Sequence, residues 1–101
     1  EMPAIQKIYD EYRSQGFVVL GVNATAQDAP LDVVPFINDH SISFPILLDE
    51  TGDVARKYNL RSLPSSFFVD RSGVIREVVV GQMAEVLIRT YAEEIIKSPA
   101  P

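Results

Sequence analysis

The sequence has 101 residues, enough for one domain with a modest core, and its 47% hydrophobic and 23% charged residues are typical of a globular protein. Fourteen acidic against nine basic residues give a net charge of −5, which argues against binding nucleic acid through clustered cations. No apolar run approaches the roughly 20 residues of a membrane-spanning helix. The sequence contains no cysteine, so these residues alone cannot exchange disulfides.

The first half of the chain predicts a helix, a strand and a second helix. Apolar residues spaced three and four apart predict a helix from residue 2 that ends at Gly16. Residues 17–22 (FVVLGV) form an apolar run rich in β-branched residues, which predicts a strand buried on both faces. A second helix is predicted from about residue 31 or 32 to Asp39.

The second half predicts shorter elements and a closing helix. Apolar patterning and turn residues predict a strand at 45–48, a helix at 53–58, strands at 65–70 and 74–80, and a helix at 84–97. The tight turn D-R-S-G between the last two strands predicts an antiparallel hairpin. Helices alternating with strands before a hairpin indicate an α/β fold with a sheet of mixed direction.

Three stretches together resemble a known group of proteins. They are E-M-P with its helix and G-F-V-V-L-G-V-N, then F-P-I-L-L-D-E-T-G-D-V-A-R-K-Y-N-L, then R-S-L-P-S-S-F-F-V-D-R-S-G-V-I. In this order they resemble the TlpA and ResA group of thiol–disulfide oxidoreductases, within the thioredoxin and AhpC/TSA superfamily. The resemblance covers essentially the whole chain. It implies a single thioredoxin-like domain over residues 1–101, a three-layer sandwich that lacks its N-terminal strands.

The resemblance also implies where the redox chemistry belongs. The group carries a Cys-x-x-Cys motif followed by two residues and then Glu-x-Pro, and Glu1 and Pro3 match the end of that pattern. The chain is therefore expected to begin about two residues after the second cysteine. The intact protein is expected to exchange disulfides with protein partners, without a cofactor, outside the cytoplasm (periplasmic or membrane-anchored). This cysteine-free chain is expected to be redox-inactive.

Three candidate site residues follow from the resemblance. Pro64 matches the cis-proline of a substrate groove, with Leu63 before it, and both are expected to bind substrate. The alternative for Pro64 is an ordinary trans proline at the start of a strand. Glu1 matches an acidic residue that assists proton transfer near the redox pair; the alternative is an acid that favours the start of a helix.

Other polar and aromatic residues are expected to be structural. His40 has no accompanying nucleophile and is expected on the surface. Of Phe67 and Phe68, at least one should face the core, because side chains alternate along a strand. Asp49, Glu50 and Asp53 are expected to form a solvated loop and helix start rather than a metal site.

Two further functions and one structural consequence remain open at this stage. The fold could serve a non-catalytic peptide-binding or protein-binding module, or a peroxiredoxin-type peroxidase. Without the strand that the resemblance places between residues 17–22 and 65–70, two apolar edges would be open. We therefore expect these strands to pair directly, or to be covered in a homodimer.

Overall fold

The computed structural model describes residues 1–24, 37 and 41–99. Of the predicted second helix only Ile37 is described; the rest of that helix and His40 lie outside the described residues. No helix among the described residues is both long and apolar enough to cross a bilayer. The elements are α1 (Met2–Tyr12), β1 (Gly21–Asn23), β2 (Ile46–Leu48), α2 (Asp53–Lys57), β3 (Ser65–Val69), β4 (Ile75–Val80) and α3 (Glu85–Ile96).

Helix α1 forms as the sequence predicts. Pro3 lies in its first turn, where a missing amide hydrogen breaks no helical hydrogen bond. A short 3₁₀ turn, Arg13–Gln15, follows the helix and ends at Gly16. Gly16 has a φ of 88°, a left-handed conformation that glycine adopts without steric cost. The predicted end of the helix is therefore confirmed.

The strand after α1 is shorter and more exposed than predicted. β1 covers Gly21–Asn23 only, and residues 17–20 are not in a strand. Phe17 and Val19 face the core, whereas Val18 and Leu20 are 68% and 58% exposed. The prediction of burial on both faces was wrong, because the described helices and strands cover only one side of this segment.

The described strands form two separate pairs. β1 and β2 are parallel, with Gly21 opposite Ile46. β3 and β4 are antiparallel, with Ser65 opposite Val80, which confirms the predicted hairpin. Both strand directions predicted for the sheet are present. Among the described residues β1 does not pair with β3, so the predicted direct pairing is not formed.

The core lies between the two long helices and one face of β3. Its buried members are an aliphatic and aromatic set contributed by α1, α3, β3 and the segments that join them: Ile8, Phe17, Phe68, Met83, Ile88 and Ala92. Phe68 packs edge-on against Tyr91 of α3, with ring centroids 5.2 Å apart. At the rim of this interface Arg89 of α3 forms a two-pronged ion pair with Glu11 of α1.

The opposite face of β3 contacts the residue that directly follows α2. Phe67 packs edge-on against Tyr58, with ring centroids 4.8 Å apart. Because Phe67 and Phe68 are adjacent, their side chains point to opposite faces, and the predicted core role of one of them is confirmed for Phe68. Val54 and Tyr58 are 42% and 45% exposed. The α1/α3 pair thus lies on one face of the β3/β4 hairpin, and Tyr58 contacts the other face.

Two buried aspartates hold local structure together. Asp49 was predicted to be solvated, but it is buried, and its carboxylate accepts the amides of Val54 and Ala55 at 3.1 and 3.0 Å. It therefore caps the start of α2, whose first amides have no helical acceptor. Asp70 accepts the amides of Ser72 and Val74 at 2.9 and 3.1 Å in the hairpin turn.

Asp70 also forms an ion pair at an irregularity in the hairpin. Phe68 lies opposite Glu77 and Val69 opposite Ile75, so Arg76 is an extra, unpaired residue in β4. Its Nε donates to Asp70 Oδ2 at 2.6 Å. The hydrogen bond from Arg76, reinforced by the Val74 amide, holds the pKa of Asp70 below its ordinary range.

We expect the Asp70→Asn variant to have a lower free energy of unfolding than the wild type at pH 7. The difference between the two free energies should become smaller as the pH falls. The unfolded carboxyl has a pKa of about 3.9, and the folded one is lower. The stabilisation by this carboxylate is therefore present above about pH 4 and is lost as the pH falls through the folded pKa. Urea unfolding between pH 7 and pH 2.5 measures the free energy of unfolding of both proteins, with Glu94→Gln at an exposed position as the control. If the difference between Asp70→Asn and the wild type does not change with pH, the ionised Asp70 carboxylate does not stabilise the fold.

Candidate functional site

The loop before β3 carries two of the three predicted site residues. The Leu63–Pro64 peptide bond is cis, as the sequence predicted. Ser65 Oγ donates to the carbonyl of Ser62 at 2.7 Å, which closes the loop around this bond. Leu63 is 51% exposed, as are other large apolar residues of this chain, such as Leu20 at 58% and Val80 at 60%. The proline loop therefore has an apolar side chain exposed at the protein surface.

The third predicted residue, Glu1, immediately precedes α1. Its carbonyl accepts the amide of Ile5 at 3.0 Å, which starts the helix. Its side chain points to the loop between β4 and α3, where Oε2 accepts the amide of Met83 at 2.6 Å. Met83 belongs to the buried core. The Glu1 carboxylate thus fastens the start of α1 to a loop 82 residues away along the chain.

The loop at residues 81–84 joins the two parts of the site. Gly81 donates its amide to the carbonyl of Pro64 at 2.8 Å, and Met83 donates to Glu1. The start of α1 and the proline loop are therefore held by the same four-residue loop. Gly81 has a φ of 100°, which glycine tolerates and other residues rarely adopt.

This arrangement contains no nucleophilic thiol, because the sequence has no cysteine. Among the residues that the structure describes, no group of three or more His, Asp and Glu is placed to hold a metal ion. What it does contain is the positive end of an eleven-residue helix beside an exposed apolar loop. A thiol placed at such a helix start would have a lowered pKa.

Sequence reasoning found the proline loop and missed the residues that fasten it. Gly81 and Met83 carry no motif, and their partners are distant in sequence. The one available signal is that a glycine directly after a strand favours a positive φ.

We expect Glu1→Ala to destabilise the chain by about 1 kcal/mol, because the buried Met83 amide loses its acceptor. Glu1→Gln keeps an oxygen acceptor and should retain most of the stability. Urea unfolding and hydrogen exchange of the Met83 amide measure the two effects. Glu50→Ala, at an exposed position, is the control. Equal exchange rates in Glu1→Ala and the wild type would show that the bond does not form in solution.

Comparison with known proteins decides the family. The model of the AhpC/TSA family matches residues 1–78, which include α1, both strand pairs in large part and the proline loop. The chain belongs to the AhpC/TSA family. The match ends within β4, so α3 lies beyond it.

Relatives of this AhpC/TSA chain place it near the ResA proteins. It is 35% identical to the thiol-disulfide oxidoreductase ResA of Halalkalibacterium halodurans over 95 residues, which are 94% of this chain and 53% of that protein. The ResA of Geobacillus kaustophilus is 32% identical over the same share of each chain. The chain therefore spans about half the length of the curated relatives it matches.

Solved structures agree with the thioredoxin-like fold. StoA from Bacillus subtilis is 28% identical, with a TM-score of 0.77 over 90% of this chain and 69% of that one. A thiol-disulfide isomerase from Corynebacterium glutamicum is 25% identical, with a TM-score of 0.83 over 97% of this chain and 70% of that one. The predicted ResA-type, thioredoxin-like fold is confirmed.

Proposed function

We propose that this chain is the substrate-binding part of a thiol–disulfide oxidoreductase whose reactive cysteines lie outside these 101 residues. The observation that carries the proposal is the loop at residues 81–84, which joins the start of α1 to the proline loop through Glu1 and Pro64. A reactive thiol at that helix start would face an exposed apolar loop that is fixed in position. The ResA relatives and their named activity support the same function.

In this proposal each site residue has a role. Leu63 and Pro64 contact an extended segment of a protein that carries a disulfide or dithiol. Glu1 fastens the helix start to the loop at residues 81–84 and lies where a proton could be exchanged with a thiol at the helix start. The chain itself remains redox-inactive, because it has no cysteine.

The proposal is tested by comparing this chain with a longer natural form that includes the residues preceding Glu1. Reduction of insulin disulfides by dithiothreitol should proceed at the background rate with the chain and well above it with the longer form. Activity of the chain alone would overturn the proposal. A longer form without cysteines that still binds peptides would be a non-catalytic module. Consumption of peroxide in preference to insulin would indicate a peroxidase.

We propose that the intact protein works outside the cytoplasm, periplasmic or membrane-anchored, as one thioredoxin-like domain.

We also propose that the chain on its own forms a homodimer through open strand edges. The exposed Val18 and Leu20 support this, because they precede β1, which has β2 on one edge and no described strand on the other, and apolar side chains beside an open strand edge favour association. Light scattering at increasing concentration should give twice the monomer mass, and a constant monomer mass would refute the dimer.

A further inference from the structure

We infer that the surface leading into the proline loop selects extended peptides that carry acidic side chains. This inference rests on the proposed function and names the chemistry of its substrate. The surface consists of Lys57, Tyr58 and Arg61 together with Leu63. It lies between the end of α2 and the start of β3.

The charge of this surface is opposite to that of the whole chain. Residues 54–69 contain three cations, Arg56, Lys57 and Arg61, and no aspartate or glutamate, whereas the net charge of the chain is −5. Arg56 is neutralised by its ion pair with Asp53. Lys57 and Arg61 are exposed, and neither has an ion pair with another described residue. Two unneutralised cations therefore remain.

These cations lie next to the apolar part of the site. Arg61 is two residues before Leu63 in the chain, and Lys57 adjoins Tyr58, whose ring packs against Phe67 in β3. Leu63 and Tyr58 are both about half exposed. Because consecutive Cα atoms are about 3.8 Å apart, the Cα atoms of Arg61 and Leu63 are at most about 7.6 Å apart. A peptide that covers Leu63 therefore lies within reach of the long, exposed Arg61 side chain.

Among the described residues, the acidic groups nearest in the fold to this surface do not neutralise its charge. The Glu1 carboxylate accepts the Met83 amide on the other side of the proline loop. Glu50 and Asp53 lie at the opposite end of α2. Glu77 lies opposite Phe68, three residues further into the hairpin than Ser65. A peptide with acidic side chains directed toward α2 is thus attracted, and a basic one gains nothing there.

The test uses the 101-residue chain and three fluorescein-labelled octapeptides. The peptides share an apolar, cysteine-free centre and differ only in two flanking residues, which are both Glu, both Gln or both Lys. Fluorescence anisotropy gives the affinities. The Glu peptide should bind about tenfold more tightly than the Lys peptide at low salt, and the difference should shrink in 0.5 M salt because exposed charges are screened.

Single substitutions assign the effect to the two cations. Arg61→Gln and Lys57→Gln should each weaken binding of the Glu peptide about threefold, the range of an exposed ion pair, and leave the Gln peptide unchanged. Arg13→Gln is the matched control, because Arg13 is exposed and roughly 18 Å of helical rise away from Glu1. It should change neither affinity.

The outcomes separate this inference from the proposed function. Equal affinities for the Glu and Lys peptides, or no effect of Arg61→Gln and Lys57→Gln, would overturn the acidic preference. If the Gln peptide still binds in that case and Leu63→Glu abolishes its binding, the proposed peptide-binding function stands. If none of the three peptides binds, both are overturned.

Discussion

Replacing Phe68 by alanine should cost about 3–5 kcal/mol of the free energy of unfolding, whereas replacing its neighbour Phe67 should cost roughly 1–2 kcal/mol. Phe68 is 7% exposed and packs with the core between α1 and α3. Phe67 lies on the other face of β3, partly exposed, with Tyr58 as its aromatic neighbour. The loss at Phe68 includes both the lost burial and a cavity that the helices cannot fill.

Urea unfolding followed by circular dichroism measures the difference between these adjacent positions. Domains of this size are stable by about 5–15 kcal/mol, so Phe68→Ala removes a large part of the total and can leave the chain unfolded. Phe68→Leu, which keeps most of the volume, then serves as the second variant and should lose about 1–1.5 kcal/mol. Equal losses at the two positions would mean that the faces of β3 have been assigned wrongly.

Gly81→Ala should destabilise the chain by about 1–2 kcal/mol and loosen the proline loop. Nothing lies within 4 Å of the position that a Cβ would occupy, so the effect is one of backbone conformation and not of crowding. A φ of 100° is strained for alanine by about 1–3 kcal/mol. The lower entropy of the unfolded alanine chain offsets about 0.4–1 kcal/mol of that.

The consequence of Gly81→Ala for the site can be measured separately from stability. The Gly81 amide donates to Pro64, so a change of φ at this position moves the donor away from its acceptor. Hydrogen exchange at position 81 should accelerate, and peptide affinity should fall. Gln82→Ala, at an exposed neighbouring position with an ordinary backbone, should change neither. Unchanged exchange in Gly81→Ala would show that the loop does not depend on the left-handed conformation.

Local patterns were sufficient to predict much of the fold. The α1 helix with its end at Gly16 and the hairpin of β3 and β4 each depend on residues close in sequence, such as the turn that Asp70 closes. The bounds of β3 and β4 were correct to within one residue, whereas α1 changes to a 3₁₀ turn at Arg13, three residues before its predicted end at Gly16. The thioredoxin-like class came from the order of three such local motifs.

What could not be predicted depends on distant partners. The exposure of Val18 and Leu20 is set by which elements lie beside them, and an apolar run does not specify that. In the sequence, Asp49 is not distinguished from the neighbouring acids Glu50 and Asp53. Its role as a helix cap follows only from the position of the α2 amides that its carboxylate accepts. At the site, Pro64 was found by its motif, whereas the bond between Glu1 and Met83 spans the length of the chain.

The most direct test of the account is insulin reduction by the longer natural form carrying Leu63→Glu. The glutamate carboxylate that this substitution introduces would lose its hydration when a substrate peptide covers the proline loop. This cost should lower kcat/KM for insulin about tenfold. The stability of the fold should remain, since Leu63 is half exposed. Val74→Glu, at a similarly exposed position in the hairpin turn, should retain full activity. Full activity of Leu63→Glu would contradict the assignment of substrate binding to the proline loop.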